Sequence, residues 1–502
     1  MEIQVKNAPV MEYDAIVIPF SNEKTLTAPV PSEVKEPVEA ALAAGKLGCT
    51  CGLTYALNLY MEGRFVKAVL VQLGDGSATN REIFLAMAKA FKSCKEAKAA
   101  VTMILLDNAK EITGNAEIAK KICELPFLVS YQFNAYKSVP VVNGMKTAVI
   151  VSEMEELEKI AAEAKNVAES TMLARDLINH PSMYMTPEKL GAEAKTLAAE
   201  LGIDVTVYDK NQIEEMKMGA FLSVAKGAVD EPRVIVLRYN GGQPGEAPVA
   251  LVGKGVMFDS GGYSLKSKMA TMHDDMGGAA AVIGAIRAIA LQKLPVNVIA
   301  VVAACENRVS GDAYVPGDIL FSMNGKTIEM LNADAEGRLT LADAITYAIR
   351  KEGAGAIIDI ATLTGAAKGA VGGRSAAVLA NDDELYEEVL EASRISCEKI
   401  WRLPADKELF TVLQSEVADI KNSCPGNTMG GGTIVAGLFL QEFFHTFHAL
   451  FIFYLCQSIL YRVYRIKIRK VQFSRLIGLL RLIENMFLLR GSVINDIFFP
   501  VC

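Results

Sequence analysis

Apolar runs and amphipathic stretches alternate along the first 150 residues. Residues 15–19, 67–73 and 99–106 are short apolar runs of the kind buried strands show, whereas residues 81–95 repeat their apolar positions at helical spacing. This β–α–β rhythm predicts an α/β domain over residues 1–150. It carries neither a GxGxxG after a strand nor a GxxxxGKS/T loop, so a scaffolding or assembly role is expected of it rather than nucleotide chemistry. Residues 153–177, rich in Glu, Ala and Lys, predict a long helix ending at Asn179-His180-Pro181. Residues 151–180 would thus connect two domains.

A second α/β rhythm fills residues 181–444. Thr186 is placed to cap a helix over Pro187–Leu201, and apolar runs at 205–208, 233–238, 249–252, 296–303 and 356–360 predict strands. Helices are expected at 279–291 and 340–350. Loops at the carboxyl ends of strands are where open α/β sheets build sites, which singles out the charged residues there. Lys254 and Asp259 lie in a glycine-rich stretch read as a loop, Asp275 precedes an Ala-rich helix, and Asp334, Glu336 and Arg338 follow one another two apart. If residues 332–339 are extended, those last three side chains face one way. Two readings stay open for them: a metal site with an anion-binding Arg, or carboxylates that merely favour the N-terminus of the next helix. Asp275 likewise could be a simple N-cap.

Composition narrows the chemistry. A net charge of -7 argues against a nucleic-acid footprint, and nine cysteines without a CxxC pair suit a reducing cytosol better than a disulfide framework. The first residues lack the basic and apolar regions of a secretory signal, so a cytoplasmic protein is expected. With four histidines and no HExxH, a metal would have to be held mainly by carboxylates. His180 reads as a helix-end capping or packing residue and His273 as a loop side chain, while Met269 and Met272 suit a pocket and a core equally. The stretch Asp259-Ser260-Gly261-Gly262 looks superficially like a serine-protease nucleophile segment. The one upstream histidine, His180, sits at a helix end, so a nucleophilic Ser260 is not expected.

Taken together, the ordered motifs carry a specific likeness. Gly253-Lys254-Gly255, Phe258-Asp259-Ser260-Gly261-Gly262, Ser264-Leu265-Lys266, Asp275-Met276-Gly277-Gly278, Asn332 through Leu339 and Ala361-Thr362-Leu363-Thr364-Gly365 resemble those of the cytosolic leucine aminopeptidase family. The resemblance implies a smaller N-terminal α/β domain joined by a helix to a larger α/β catalytic domain with a mixed central sheet. It further implies a homohexameric exopeptidase that removes Leu-like N-terminal residues from peptides with two divalent ions, Mn²⁺ or Zn²⁺. On motif position Asp259 and Glu336 would bridge the ions, Lys254 and Asp275 would complete one, and Asp334 the other. Lys266 and Arg338 would be the catalytic residues outside the ligand set, Lys266 steadying an oxyanion and Arg338 holding a bicarbonate. Lys254 can ligate only as a neutral amine, a state adjacent cations favour. Ala333 stands where the family commonly has Thr, and the segment between Lys266 and Asp275 is about two residues short of the usual pattern.

The likeness is read as far as Phe443. Beyond it the family would continue with a pocket-lining segment resembling HLDIAGTA, but here an aromatic, basic stretch follows over residues 445–502. From residue 451 on it holds eight Lys or Arg against Glu484 and Asp496. The favoured expectation is a natural end replaced by a frame change or gene break. The others are an interfacial membrane helix over residues 447–461 and, less favoured still, a metal pair at His445 and His448. Loss of the pocket segment also raises an alternative function, a catalytically impaired scaffold.

Overall fold

The computed structural model describes residues 1–21, 25–141, 144–426, 429–444 and 448–453. They form two compact units, Met1–Met172 with Arg394–Cys397, and Leu173–Ser393 with the described residues from Glu398 onward. The division falls within the long helix Leu157–Asn179, which the Glu/Ala/Lys pattern anticipated four residues early.

In the first unit, β1 (Glu2–Lys6), β2 (Ala15–Phe20), β3 (Thr54–Met61), β4 (Arg64–Gln72), β5 (Val101–Leu105) and β6 (Thr147–Val151) form one sheet in the order β1-β6-β5-β2-β4-β3. Its central strand β2 is buried at every residue. Such a continuous apolar run is what a strand covered on both faces requires. The helix Asn80–Glu96 starts at Thr79, whose hydroxyl accepts from the Glu82 amide while the Glu82 carboxylate accepts from the Thr79 amide.

The second unit is built on an eight-stranded sheet. Its strands are β7 (Asp204–Tyr208), β8 (Arg233–Asn240), β9 (Val249–Asp259), β10 (Asn297–Asn307), β13 (Ala356–Ala361), β14 (Ala376–Ala380), β15 (Ile400–Arg402) and β17 (His448–Phe453). A small sheet of β11 (Ile319–Phe321), β12 (Thr327–Glu329) and β16 (Ile420–Lys421) accompanies it. The large sheet runs β15-β14-β17-β13-β9-β10-β8-β7, with parallel pairs at its centre and antiparallel ones at β14–β17, β10–β8 and β8–β7. The expected mixed sheet is present. Helices Pro187–Leu201 and Gly277–Leu291 pack on one face, and Gly219–Ala225, Gly337–Arg350 and Gly432–Gln441 on the other.

Two expectations fail here. Residues 253–259 are not a loop: β9 continues to Asp259, and glycine at 253 admits the carbonyl of Gly278, 2.6 Å from where a Cβ would stand. Nor do residues 448–453 belong to an interfacial helix. They form β17, paired in parallel with β13 and antiparallel with β14, its backbone bonded on both sides and Ala449, Leu450, Phe451 and Ile452 buried. A short apolar run fits a central strand as well as a helix, and the gap between β13 and β14 decides the matter. Residues 454–502, the side chain of His448, and His445 lie outside the described residues, and with them the basic tail and the histidine pair. Among the described residues no helix is long and apolar enough to cross a membrane.

Candidate metal centre

β13, β9 and β10 run parallel side by side, and the candidate residues gather at their carboxyl ends. Lys254 and Asp259 are five apart on β9, so strict alternation would put them on opposite faces. A bulge prevents this. Opposite the consecutive residues Cys305 and Glu306 of β10 stand Val256 and Phe258, with Met257 left over. Ala303, Cys305 and Asn307, which share a face of β10, therefore pair with Lys254, Val256 and Asp259. One extra residue turns Asp259 toward Lys254.

Lys254 is the hub of one half of the site. Its ammonium lies 2.7 Å from Asp275 and 2.8 Å from Glu336 and donates to the carbonyl of Thr362 at 3.1 Å, all deep in the protein. Burial by itself would lower its pKa, but Asp275, Glu336 and Asp259 outweigh burial and hold it well above the ordinary lysine value. Asp275 immediately precedes the residue capping the helix Gly277–Leu291, yet it caps nothing. Its carboxylate turns to Lys254 and accepts from the Thr362 hydroxyl at 2.6 Å, and burial raises its pKa against the pull of Lys254.

Lys266 organises the other half, 2.7 Å from Asp259 and in closer contact with Asp334. Burial and then the Asp259 charge push Asp334 up to about 6 although Lys266 opposes them. The neighbouring carboxylates hold the Lys266 ammonium above its ordinary value despite its partial burial.

The stretch 332–339 is not extended. The Asn332 side chain accepts from the Asp334 amide at 2.8 Å and closes a turn, and Glu336 is already in helical conformation ahead of the helix Gly337–Arg350. Glu336 accepts no capping bond from that helix, so its carboxylate is left for Lys254. Arg338, in the first turn, makes no ion pair with the carboxylates among the described residues: it donates to the Asn422 carbonyl at 2.7 Å, and its Nε has no hydrogen-bond partner there. Burial lowers its pKa to about 10.

Three residues that motif reading left out hold this arrangement. The fully buried Asn422 bonds the backbone of Leu331, Asn332 and Ala335, Thr362 serves Lys254 and Asp275, and Asn307 donates to Asp259. Thr362 stood in a quoted motif without a role. Nothing in the local sequence marks Asn422, which arrives from the far end of the unit. Ser260 is structural, donating to the Asn307 carbonyl at 2.7 Å. His180 lies partly buried just past the end of its helix, and His273 falls in the short turn Met272–Asp274.

Four carboxylates thus face two ammonium groups in a site largely closed to water. Atoms of Asp259, Asp334 and Glu336 lie within 4.8 Å of one another, and Asp275 Oδ2, Asp334 Oδ1 and Glu336 Oε1 are buried with only the two lysine ammoniums against them. A surplus of buried negative charge on oxygen atoms is a donor set suited to hard or borderline dications. The residues fit the metals that the motif resemblance implies.

Residues 172–454 match the cytosol aminopeptidase family's catalytic domain and residues 17–140 its N-terminal domain. The chain belongs to the cytosol aminopeptidase family. It is 44% identical over 453 residues to a probable cytosol aminopeptidase of Clostridium perfringens, covering 88% of this chain and 90% of that one. A probable cytosol aminopeptidase of Alkaliphilus oremlandii is 39% identical over 469 residues, at 88% and 91% coverage. Among solved structures, the bottromycin maturation enzyme BotP superposes with a TM-score of 0.76 at 30% identity, covering 88% of this chain and 92% of that one. Membership of the cytosol aminopeptidase family makes the protein a hydrolase of the aminopeptidase type, and divalent metal use is a property of that family. The match reaches residue 454 and so includes β17, beyond Phe443, where the motif likeness faded. The impaired-scaffold alternative draws no support from these matches.

Proposed function

We propose that the protein releases N-terminal amino acids, Leu-like ones preferred, from peptides with two divalent ions, Mn²⁺ or Zn²⁺, held by Lys254, Asp259, Asp275, Asp334 and Glu336. The observation that carries this reading is the convergence of four carboxylates and two lysines at the ends of three parallel strands. When bound, the ions would acidify a water and polarise the scissile carbonyl. Lys254 must give up a proton to ligate, and the carboxylates that now hold its ammonium would be the ones shared with the ions. Lys266, reaching between Asp259 and Asp334, carries a positive charge to the edge of the site, where it would meet an oxyanion. Arg338 keeps one guanidinium edge fixed on Asn422 and its Nε unsatisfied, a disposition suited to a small anion such as bicarbonate that takes up a proton. The substrate's free terminal amine would be held by one of the ions, which would confine action to chain ends.

The proposed setting is a cytoplasmic homohexamer. Hydrolysis of a leucine anilide with added Mn²⁺ or Zn²⁺ tests the activity, and Glu336→Gln is expected to abolish turnover. Unchanged turnover in that variant would refute the assignment, and the mass of the purified protein in solution checks the assembly.

A further inference from the structure

Asn307, at the last position of β10, is fully buried and bonded from several directions. Its Nδ2 donates to Asp259 Oδ1 at 2.8 Å and to the carbonyl of Ala333 at 2.9 Å. Its own carbonyl accepts from the Ser260 amide at 3.0 Å and the Ser260 hydroxyl at 2.7 Å. Both partners of Nδ2 are oxygens, so the amide can face only one way: the opposite orientation would set its oxygen against a carboxylate and a carbonyl. The remaining atom, Oδ1, is buried beside Gly262, where a Cβ would stand 2.9 Å from it. Gly262 adopts a φ of 55°, so neither its backbone nor the available space tolerates a side chain there.

We propose that Asn307 is a positioning residue that fixes which oxygen of Asp259 is presented to the metal centre and sets the spacing of Asp259 from Asp334. The proposal rests on the metal-centre reading above. Asp259 Oδ1 accepts from Asn307 and from the Gly261 amide at 2.9 Å, so its hydrogen-bonding capacity is committed to the protein. Oδ2 faces Lys266 and is the oxygen left for a cation. The second N–H of the same amide holds Ala333, the residue directly before Asp334. One planar group thus ties together two chain segments that each bring a carboxylate, and the Met257 bulge brings Asn307 opposite Asp259. A hydrogen bond to a charged carboxylate is also among the stronger kinds, and it lies where water cannot replace it.

The test uses the full chain stripped of metal and titrated with Co²⁺, whose visible absorption reports ligand geometry, with circular dichroism as a check of folding. Loss of an outer-shell partner typically weakens metal binding by about 10–100-fold, and Asn307→Ala should show a loss of this order in Co²⁺ affinity together with a changed absorption band. Ser260→Ala is the control. It removes the hydroxyl's bond to the Asn307 carbonyl and the acceptor of the Gly262 amide but leaves both bonds from Nδ2, so it should lower thermal stability while keeping the parent's Co²⁺ affinity and spectrum. Should Asn307→Ala fail to fold, Asn307→Leu keeps the side-chain volume without the donors and should show the same loss. Parent-like Co²⁺ affinity and spectrum in a folded Asn307 variant would overturn the proposal while leaving the metal centre standing, as would an equal loss in Ser260→Ala. A parent chain that takes up no Co²⁺ would overturn the metal-centre reading and this proposal with it.

Discussion

Replacing Asp359 with Leu should make the protein more stable, although Asp359 sits in the middle of the sheet. It is fully buried on β13, level with Val252 of β9 and Phe451 of β17, and neither carboxyl oxygen has a hydrogen-bond partner among the described residues. Each unsatisfied buried polar atom costs about 1–3 kcal/mol, so the pair costs about 2–6 kcal/mol. Leu has the same number of side-chain heavy atoms and removes both, at a repacking cost of about 1 kcal/mol. Burial alone drives the Asp359 pKa well above the ordinary carboxylate value. The folded chain therefore keeps a proton that the unfolded chain releases above about pH 4, so the contribution of Asp359 to stability is most favourable below that pH. It then falls by up to about 1.4 kcal/mol per unit as pH rises toward the folded-state pKa. Urea unfolding at about pH 5 and about pH 8, followed by circular dichroism, separates the two effects. Asp359→Leu should raise the midpoint at both and more at the higher pH. A variant less stable than the parent, or one with the parent's pH slope, would refute the reasoning.

Other perturbations bear on the scaffold around the site. Asp343 is buried and accepts the amides of Phe221 at 2.9 Å and Met323 at 2.7 Å, so Asp343→Ala should cost about 2–6 kcal/mol by orphaning both; an unfolding midpoint equal to the parent's would count against this. In Gly278→Ala the new Cβ would overlap the Ile360 carbonyl and crowd the Lys254 amide at 2.7 Å, so the helix Gly277–Leu291 should detach from β9 and soluble yield should collapse; a well-folded Gly278→Ala would show that the approach is looser. Chelation should abolish leucine-anilide turnover and added Mn²⁺ or Zn²⁺ should restore it, whereas turnover indifferent to chelator would remove the ions from the mechanism.

The strands and helices that carry the site were legible because each is written locally: apolar runs for β9, β10 and β13, and a Thr cap for Pro187–Leu201. The charged residues were legible for the same reason, lying among glycines and alanines where no core position calls for them. What alternation could not reveal was the extra residue at Met257, since a bulge is recognised only against the partner strand. The turn at Asn332 was hidden in the same way, because side chains from Ser264, Tyr314 and Asn422 satisfy its backbone. β17 depended on context most of all. Its apolar residues are equally compatible with a helix until β13 and β14 are seen to flank them.

That placement also orders the protein's assembly in time. β13 and β14 follow one another closely in sequence, yet they do not pair; β17, from much later in the chain, lies between them. During synthesis the strands β7, β8, β10, β9 and β13 can associate as soon as they emerge, bringing with them every candidate metal-centre residue. The parallel pair β14–β15 must wait, and until residues 448–453 arrive the open edges of β13 and β14 are unpaired strands of the kind that recruit other chains. The expected slow step in folding this sheet is therefore the insertion of β17, the last strand among the described residues, into its interior, a closure of high contact order.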